Sequence, residues 1–307
     1  MLATLFLLAA TFAPTKAFAL QIHLDRAGYS CSAIDGVWGP KAERALSEYM
    51  KAHPSARSIK TPDEAFDVYF ATAKDPFKIV TVTEADLAAL VSIPEDPAAR
   101  ADLARLGYET IREMFAERGH LSQTALATLN PGVDWKNVRA GLKLVIPDFP
   151  SIEEEFRAAE RGKKRRPVRP EAALVRISLS KSLITVCDEK MKTLAIFPCS
   201  IAADKRKVPP HGELKIVSYV PWPNYTYTPD TVRKGEKAKR YIWPEGENSP
   251  VGVAWLGLNL TGYGIHGTPR PESIGFSGSH GCFRLANWNA ARLFAMCKVG
   301  TRVVIEP

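Results

Sequence analysis

Four side chains that can do chemistry stand close together near the end of the chain, among several glycines. They are Cys282, His266, His280 and Arg284, within the segment IHGTPRPESIGFSGSHGCFRL at residues 265–285. A cysteine at its ordinary pKa of about 8.5 is mostly protonated at neutral pH, so a catalytic thiol needs a base or a cation beside it. Either histidine supplies such a base. The segment therefore indicates acyl transfer through a thiol nucleophile.

The residues around the thiol fit the other needs of that reaction. Attack on a carbonyl requires N–H donors for the oxyanion, and Gly281 lets the backbone approach the acyl carbon closely. Arg284 returns to the face of Cys282 if the segment is extended, and its guanidinium suits a substrate carboxylate. A surface arginine paired with a neighbouring acid is the alternative. The intermediate would be a thioester on Cys282.

A metal hydrolase is the rival chemistry for the same residues. His266, His280 and Cys282 would be its ligands, but His280 and Cys282 are only two residues apart. Neither an H-E-x-x-H motif nor a pair of C-x-x-C motifs accompanies them. We therefore predict no metal and no other cofactor.

The segment resembles the L,D-transpeptidases of bacterial cell walls. That family carries a histidine, a gap of a dozen or so residues, and then Ser/Thr-His-Gly-Cys-hydrophobic-Arg/Asn. The matching positions here are His266-Gly267-Thr268 and Ser279-His280-Gly281-Cys282-Phe283-Arg284. The resemblance continues upstream through residues 208–212 and 248–252 and covers roughly residues 174–307. It implies a YkuD-type catalytic domain.

The resemblance also implies roles for these residues. Cys282 becomes the nucleophile and His266 the base, and a turn shapes the oxyanion hole; that turn comprises Ser279, His280 and Gly281. From the residues alone, either histidine remains a candidate for the base. Arg284, Gly267 and Thr268 are expected to bind substrate.

A long aromatic-rich stretch at residues 219–247 suggests a further part of the substrate site. It contains Trp222, Tyr241 and several prolines, and it is longer than a simple connection requires. We interpret it as a lid or substrate groove, with Trp222 and Tyr241 as substrate-binding residues. Packing of these aromatic rings over the sheet is the alternative.

The implied function is cysteine-dependent L,D-transpeptidation of peptidoglycan stem peptides, in cell-wall biogenesis and the maintenance of cell shape. The sequence does not name the acceptor, so cross-linking, trimming by a carboxypeptidase, attachment of a wall-linked lipoprotein and cross-link hydrolysis all remain open. A non-catalytic wall-binding protein is a further alternative, although the complete set of Cys282, His266, His280 and Arg284 disfavours it.

Charge and composition restrict the partners. The net charge is +8, but the run RGKKRRPVR at residues 161–169 supplies six of those charges and lacks interleaved aromatic residues. Such a run is typical of a solvated linker, and we predict no nucleic-acid partner. The hydrophobic fraction of 46% is ordinary for globular domains.

The first residues have the pattern of a secretory signal peptide. An apolar run at residues 2–13 is followed by Ala17-Phe18-Ala19, which predicts cleavage after Ala19 and a periplasmic or wall-associated protein. The run is shorter than the roughly 20 residues that span a bilayer, so no transmembrane segment is expected. Export permits disulfides, yet five is an odd number of cysteines. Buried thiols are the preferred interpretation of Cys187, Cys199 and Cys297, while Cys31 is left open.

The chain divides by pattern into small helical modules followed by a strand-rich part, a multidomain α+β fold. The Gly/Pro-rich loop at residues 34–40 is similar to a peptidoglycan-binding repeat, and residues 106–150 resemble a LysM module; in both, a purely structural role is the alternative. The predicted units are a signal peptide (1–19), a peptidoglycan-binding-like helical domain (20–53), a connecting segment (54–105), a LysM-like module (106–150), a basic linker (151–172) and a catalytic domain (173–307), mostly β and expected to be a β-sandwich.

Overall fold

The structure is a computed structural model. It describes residues 16–53, 61–70, 76–161, 170–202, 204–229, 239–276 and 281–307. Residues 1–15 of the predicted signal peptide lie outside the described residues, as do Ser279 and His280 of the predicted site. Among the helices that the structure describes, none is long and apolar enough to cross a membrane.

Three helices form the first part of the described chain: α1 (Lys16–Arg26), α2 (Pro40–Ala52) and α3 (Pro62–Phe70). Pro40 lies in the first turn of α2, where its missing N–H leaves no hydrogen bond unmade. The predicted cleavage point after Ala19 falls inside α1, where Phe18 and Ala19 are both buried. The cleavage point itself stays a prediction.

The next part is a two-stranded antiparallel sheet with four helices between its strands. The strands are β1 (Phe77–Thr81) and β2 (Lys143–Pro147), and the helices are α4 (Glu84–Ala88), α5 (Pro97–Ala101), α6 (Ile111–Arg118) and α7 (Gln123–Leu129). Ser122 caps α7 by accepting a hydrogen bond from the Ala125 N–H. Residues 77–81, predicted as part of the connecting segment, pair as β1 with residues 143–147 of the predicted LysM-like module.

The part predicted as the catalytic domain contains one eight-stranded sheet in the order β11-β10-β9-β6-β12-β3-β4-β5. Its strands are β3 (Leu174–Ser178), β4 (Leu183–Cys187), β5 (Thr193–Pro198), β6 (Gly212–Pro221), β9 (Ala254–Leu258), β10 (Gly264–His266), β11 (Phe283–Arg284) and β12 (Arg302–Glu306). A separate short hairpin pairs β7 (Tyr225–Tyr227) with β8 (Tyr241–Trp243).

The sheet curls because its longest strand bends. The first half of β6 pairs with β12 and the second half pairs with β9, with a bulge between Ile216 and Ser218. At the two ends of the strand order, Ser200 and Arg284 exchange backbone hydrogen bonds of 2.9 and 3.0 Å. The expected β-sandwich is therefore a single curled sheet whose two halves share β6.

Two helices pack against this sheet and against each other: α8 (Ile152–Arg161) and α9 (Asn287–Met296). Phe156 of α8 is buried in the same hydrophobic core as Val175 and Phe294. The first half of the segment predicted as a basic linker, residues 151–172, therefore forms a helix that packs on the core. The basic run at residues 162–169 lies outside the described residues.

The N-terminal residues cover the edge strand of the catalytic sheet. Ser30 N–H donates to Ile196 O at 3.1 Å, and Ile196 N–H donates to Gly28 O at 2.9 Å. Tyr29, between those two residues, is buried in a cluster that includes Leu183 of β4 and Ile196 of β5. This pairing occupies backbone groups that an open sheet edge would expose.

All five cysteines lie in described residues and none forms a disulfide. Cys31, Cys187, Cys199 and Cys297 are buried, whereas Cys282 is partly exposed. Burial raises the pKa of the Cys199 thiol to about 12, because a thiolate loses its hydration there. Cys199 therefore behaves as a buried hydrophobic side chain, and the accessible thiol is Cys282.

Candidate active site

The predicted base and substrate arginine lie directly opposite each other on two paired strands. The parallel strands β10 and β11 pair His266 with Arg284 and Ile265 with Phe283. Paired residues share a face of a sheet, so the side chains of His266 and Arg284 lie on one face. Cys282 lies two residues before Arg284, in the bend that leads into β11.

The imidazole of His266 is held in one tautomer. Its Nδ1 lies 2.7 Å from the carbonyl oxygen of Gly267, and because a carbonyl only accepts hydrogen bonds, Nδ1 carries the proton. The other nitrogen, Nε2, is then free of a proton in the neutral ring. The ring also stacks against Trp255, with ring centroids 5.6 Å apart. A neutral imidazole of this kind is ready to accept a proton.

Burial keeps that imidazole neutral. His266 is 6% exposed, and loss of hydration lowers its pKa to about 4. The hydrogen bond to Gly267 opposes this shift, while the nearby positive charge of Arg284 adds to it. At neutral pH His266 is therefore an uncharged base.

The thiol of Cys282 is also uncharged at rest. Burial raises the pKa of the Cys282 thiol, and a backbone hydrogen bond at Gly264 only partly offsets that effect. The Sγ–H donates to the carbonyl oxygen of Gly262 at 3.5 Å. Because the pKa of the thiol is raised and the pKa of the His266 imidazole is lowered, both groups are uncharged at neutral pH. A thiol in this state loses its proton to a base as it attacks the substrate.

The residue before the thiol has a backbone conformation that requires glycine. Gly281 has φ of +147°, a value that side-chain-bearing residues rarely adopt. This conformation supports the expectation that the turn exposes its N–H groups to substrate. Since Ser279 and His280 lie outside the described residues, their roles in the oxyanion hole stay predictions.

The other predicted substrate residues around the thiol lie in well-anchored backbone. Arg284 is fixed in both directions by its pairing with Ser200, and its side chain is half-buried. Gly267 and Thr268 are buried directly after His266. These positions suit substrate binding, which stays a prediction for all three.

A buried asparagine behind the base was missed from the sequence. Asn287 begins α9, and its Oδ1 accepts from the N–H of Val253 at 3.3 Å. Side chains added at Gly252 or Gly267 would overlap Oδ1. The motif at residues 248–252 could have indicated this contact. Its last residue, Gly252, is one of the two glycines whose lack of a side chain leaves room for the amide of Asn287.

Two tryptophans of the 219–247 stretch contact residues outside the eight-stranded sheet. Trp222 lies edge-on to Phe156, 5.6 Å between centroids, beneath the guanidinium of Arg105. Trp243 donates from its indole N–H to Pro97 O at 2.9 Å. The structure thus supports the packing alternative for Trp222. A role for Tyr241 in substrate binding stays a prediction.

The described residues contain no group of three or more histidine, cysteine, aspartate or glutamate side chains arranged to hold a metal ion.

Comparison with known proteins identifies the part of the chain that carries this site. A family model for the YkuD L,D-transpeptidase catalytic domain matches residues 172–305. The matched residues include Cys282, His266 and Arg284.

Two relatives from bacilli extend the comparison. A Bacillus licheniformis protein with the provisional name L,D-transpeptidase YkuD is 27% identical over 200 residues, which cover 65% of this chain and 94% of that protein. A Bacillus subtilis protein of the same provisional name is 46% identical over 57 residues, covering 19% of this chain and 35% of that one.

Solved structures give a partial match. An L,D-transpeptidase from Mycobacterium smegmatis is 18% identical, with a TM-score of 0.35, and the match covers 44% of this chain and 59% of that one. The chain thus spans little more than half of the length of this solved relative.

Proposed function

We propose that this protein is a cysteine-dependent L,D-transpeptidase that acts on peptidoglycan stem peptides through a thioester acyl-enzyme. The observation that carries the proposal is the pairing of β10 with β11, which sets His266 opposite Arg284, two residues after Cys282. The YkuD match over residues 172–305 supports the substrate class.

The first half of the reaction forms the acyl-enzyme. The terminal carboxylate side of a stem tetrapeptide binds near Arg284, and the thiol of Cys282 attacks the carbonyl carbon of the last peptide bond. As the C–S bond forms, the thiol proton passes to Nε2 of His266. The tetrahedral intermediate collapses, and the imidazolium returns this proton to the nitrogen of the departing amino acid.

The second half transfers the acyl group. An acceptor amine attacks the thioester and His266 takes its proton; the C–S bond breaks and the thiol of Cys282 regains a proton. With a stem-peptide amine as acceptor, the product is a cross-link; with water, it is a trimmed peptide. The site would perform carboxypeptidase, cross-link hydrolase and lipoprotein-attachment reactions by the same steps.

The nucleophile is tested by substitution of Cys282. Cys282→Ala should abolish turnover of disaccharide-tetrapeptide, and a carbapenem should add covalently to the wild type, as intact mass will show. Cys31→Ala is the matched control, since that thiol is buried. A carbapenem adduct that persists in Cys282→Ala and disappears in Cys31→Ala would reject the assignment.

The acceptor is tested by the products. Purified protein incubated with disaccharide-tetrapeptide should give cross-linked dimers, detected by mass spectrometry. Tripeptide products would assign a carboxypeptidase instead. Unchanged substrate with retained binding to cell walls would support the non-catalytic alternative.

We further propose that the N-terminal region binds peptidoglycan. A cleft of about 530 Å³ lies between the 34–40 loop and the 271–276 segment of the catalytic domain, within the size range of ligand sites. Val37 and Phe276 stand at this cleft with 65% and 83% of their surfaces exposed. Apolar groups beside serine hydroxyls and lysine side chains suit a sugar polymer that carries peptide carboxylates.

The binding proposal is tested with variants of these exposed residues. Val37→Ser and Phe276→Ala should reduce sedimentation of the protein with purified sacculi. Val299→Ser is the matched control, since Val299 is 59% exposed and does not line this cleft. Equal sedimentation of all four proteins would rule out this part of the proposal.

Export to the periplasm or wall completes the proposal. It is supported by the signal-like pattern of residues 1–19 and by the wall substrate of the proposed reaction. Fractionation of cells that express the full chain would test it, and recovery in the cytoplasm alone would contradict it.

A further inference from the structure

A carboxylate from the N-terminal region reaches the helix that follows the catalytic thiol. Glu117 of α6 is 7% exposed, and both of its oxygens accept hydrogen bonds from the Nδ2 group of Asn287, each at 3.2 Å. The two residues are 170 positions apart in the chain. Tyr108 holds the carboxylate from the other side, its hydroxyl donating to Oε1 at 2.9 Å.

These contacts fix which way the amide of Asn287 points. Its Nδ2 side faces Glu117 and the carbonyl oxygen of Glu247, at 3.0 Å, and both are acceptors. Its Oδ1 side faces the N–H of Val253, a donor. If the amide were reversed, Oδ1 would face two acceptors and Nδ2 would face the N–H of Val253. Only one orientation of the amide therefore makes all of these hydrogen bonds.

The oriented amide lies against the peptide that orients the base. Its Oδ1 occupies the space where Gly267 would otherwise carry a side chain. The carbonyl of that same glycine accepts the Nδ1 proton of His266 at 2.7 Å. A shift of Asn287 therefore moves the acceptor that holds the imidazole tautomer.

We propose that Glu117 is a positioning residue of the active site, acting through Asn287 on the Gly267 peptide and so on His266. The inference rests on the proposed function for the role of His266. It makes the N-terminal region part of the catalytic apparatus in addition to its proposed role in wall binding.

The test compares three variants of the full-length protein. Glu117→Ala removes the acceptor, and Asn287→Ala removes the amide that responds to it. Glu117→Gln retains a carbonyl oxygen facing Asn287 and should rescue activity. Glu117→Ala should lower kcat for disaccharide-tetrapeptide on the order of 10- to 100-fold with little change in KM, since misplacement by about 1 Å costs that much.

Asp25→Asn is the matched control. Asp25 is another fully buried N-terminal carboxylate that binds a side chain of α9, Arg292, away from His266. It should lower thermal stability without changing kcat at temperatures where the variant is folded. If Glu117→Ala behaves like Asp25→Asn, with lower stability and unchanged kcat, the contact is structural and the inference fails.

A double variant adds a second criterion. If Glu117 acts through Asn287, the Glu117→Ala/Asn287→Ala protein should lose no more activity than Asn287→Ala alone. Additive losses would overturn the inference. If Glu117→Ala does not fold, the test uses Asn287→Ala and Glu117→Gln instead. Loss of activity in Asn287→Ala with activity retained in Glu117→Gln supports the inference, and equal activity in the two variants rejects it.

Alkylation of Cys282 by iodoacetamide separates this inference from the proposed function. The reaction needs no wall substrate, and its rate near neutral pH reports on the base beside the thiol. Slower alkylation in Glu117→Ala than in Asp25→Asn supports positioning even if the wild type turns over no peptidoglycan. Equal alkylation rates in the two variants contradict positioning, whatever the substrate.

Discussion

The side chain of Arg292 in α9 is buried against Asp25 in α1. The Nη2 atom of the guanidinium donates to Oδ1 of Asp25 at 3.0 Å, and Nη1 donates to the backbone carbonyl oxygen of Asp25 at 2.8 Å. His120 contacts the same carboxylate at 3.0 Å and stacks between Phe149 and Trp288. One buried ion pair thus joins the first described helix to the last.

Removing one partner of this pair should be costly. Asp25→Ala leaves the Arg292 charge, 2% exposed, beside the more distant carboxylate of Glu155, 3.9 Å from its Nε, and breaking a buried pair costs about 3–5 kcal/mol. Chemical denaturation of the full-length protein measures the loss. Arg302→Ala is the matched control, since its pair with Glu213 is largely exposed and should contribute little. A loss for Asp25→Ala no larger than the control would contradict the estimate.

The direction of pH dependence follows from the same contacts. Arg292 and His120 hold the pKa of Asp25 well below its usual range despite the opposing effect of burial. A carboxylate with a lowered pKa contributes stability above its unfolded pKa of about 3.9, and that stability is lost as pH falls toward the folded value. Thermal unfolding of Asp25→Asn should therefore differ most from wild type at neutral pH, and convergence at neutral pH would contradict this.

The sequence predicts that Cys282 and Arg284 share one face of the site, because the signals for that arrangement are local. A two-residue spacing puts Cys282 and Arg284 on one side of an extended segment, and the glycine-rich motif marks the turn. The contact between the N-terminal helices and α9 has no such local signal. Asp25 and Arg292 are 267 positions apart, and the pattern of neither helix predicts which residue the other contributes.

The α8 helix lies in the segment predicted as a basic linker. Its sequence IEEEFRAAER is dominated by charged residues, which usually indicates a solvated segment. Phe156 nevertheless buries a large ring among residues of the catalytic core, and Ile152 packs beside it. A narrow apolar stripe of two side chains is enough to dock a helix on an existing core, but composition averaged over the segment conceals it.

Glu117 should make the protein less stable as the solution becomes alkaline. Burial and the nearby charge of Glu247 raise its pKa from an ordinary 4.5 to about 8, against the hydrogen bonds from Tyr108 and Asn287. Glu113 adds repulsion from the same helix. A carboxyl with a raised pKa contributes stability that is complete below the unfolded pKa and is lost as pH rises through about 8.

The variant Glu117→Gln removes this titration. Its thermal unfolding should change less than that of the wild type between mildly acidic and mildly alkaline pH, because an amide stays neutral. Glu109→Gln is a control of the same charge change at an exposed position of the same module. Parallel pH curves for wild type and Glu117→Gln would show that the carboxyl is ionised throughout.

The neutral state of His266 and Cys282 predicts a distinctive pH profile. With the His266 pKa lowered to about 4, the base is available at all higher pH values, and acylation by a carbapenem should fall only as pH drops through about 4. Because burial raises the Cys282 pKa, alkylation by iodoacetamide should keep rising into the alkaline range. A plateau from acidic pH upward would instead indicate a preformed thiolate.

Two substitutions separate the roles of the histidines. His266→Gln should lower acylation by about 100- to 10,000-fold, the range typical of a lost general base. His280→Gln should retain most of the thiol reactivity if that residue mainly shapes the turn. The opposite result, with reactivity lost in His280→Gln and kept in His266→Gln, would exchange the two assignments.

Arg284 should recognise a carboxylate of the donor peptide. Its backbone is fixed by Ser200 in both directions, so Arg284→Lys changes the side chain without loosening the strand. Lysine keeps the charge but loses the two-pronged geometry of guanidinium, and a charge-assisted hydrogen bond is worth about 1.5–3 kcal/mol. The expected loss in kcat/KM for the tetrapeptide is therefore roughly 10- to 150-fold. Arg302→Lys, on the same sheet and mainly exposed, should leave kcat/KM unchanged.

The donor's own carboxylates provide the deciding comparison for Arg284. A donor with amidated carboxylates offers no anion to the guanidinium, so it should already be a poorer substrate for the wild type and lose little more with Arg284→Lys. Steady-state kinetics with the native and amidated tetrapeptides measures both effects. Equal losses for the two donors would mean that Arg284 supports the turn around Cys282, because a contact made within the protein does not depend on the charge of the substrate.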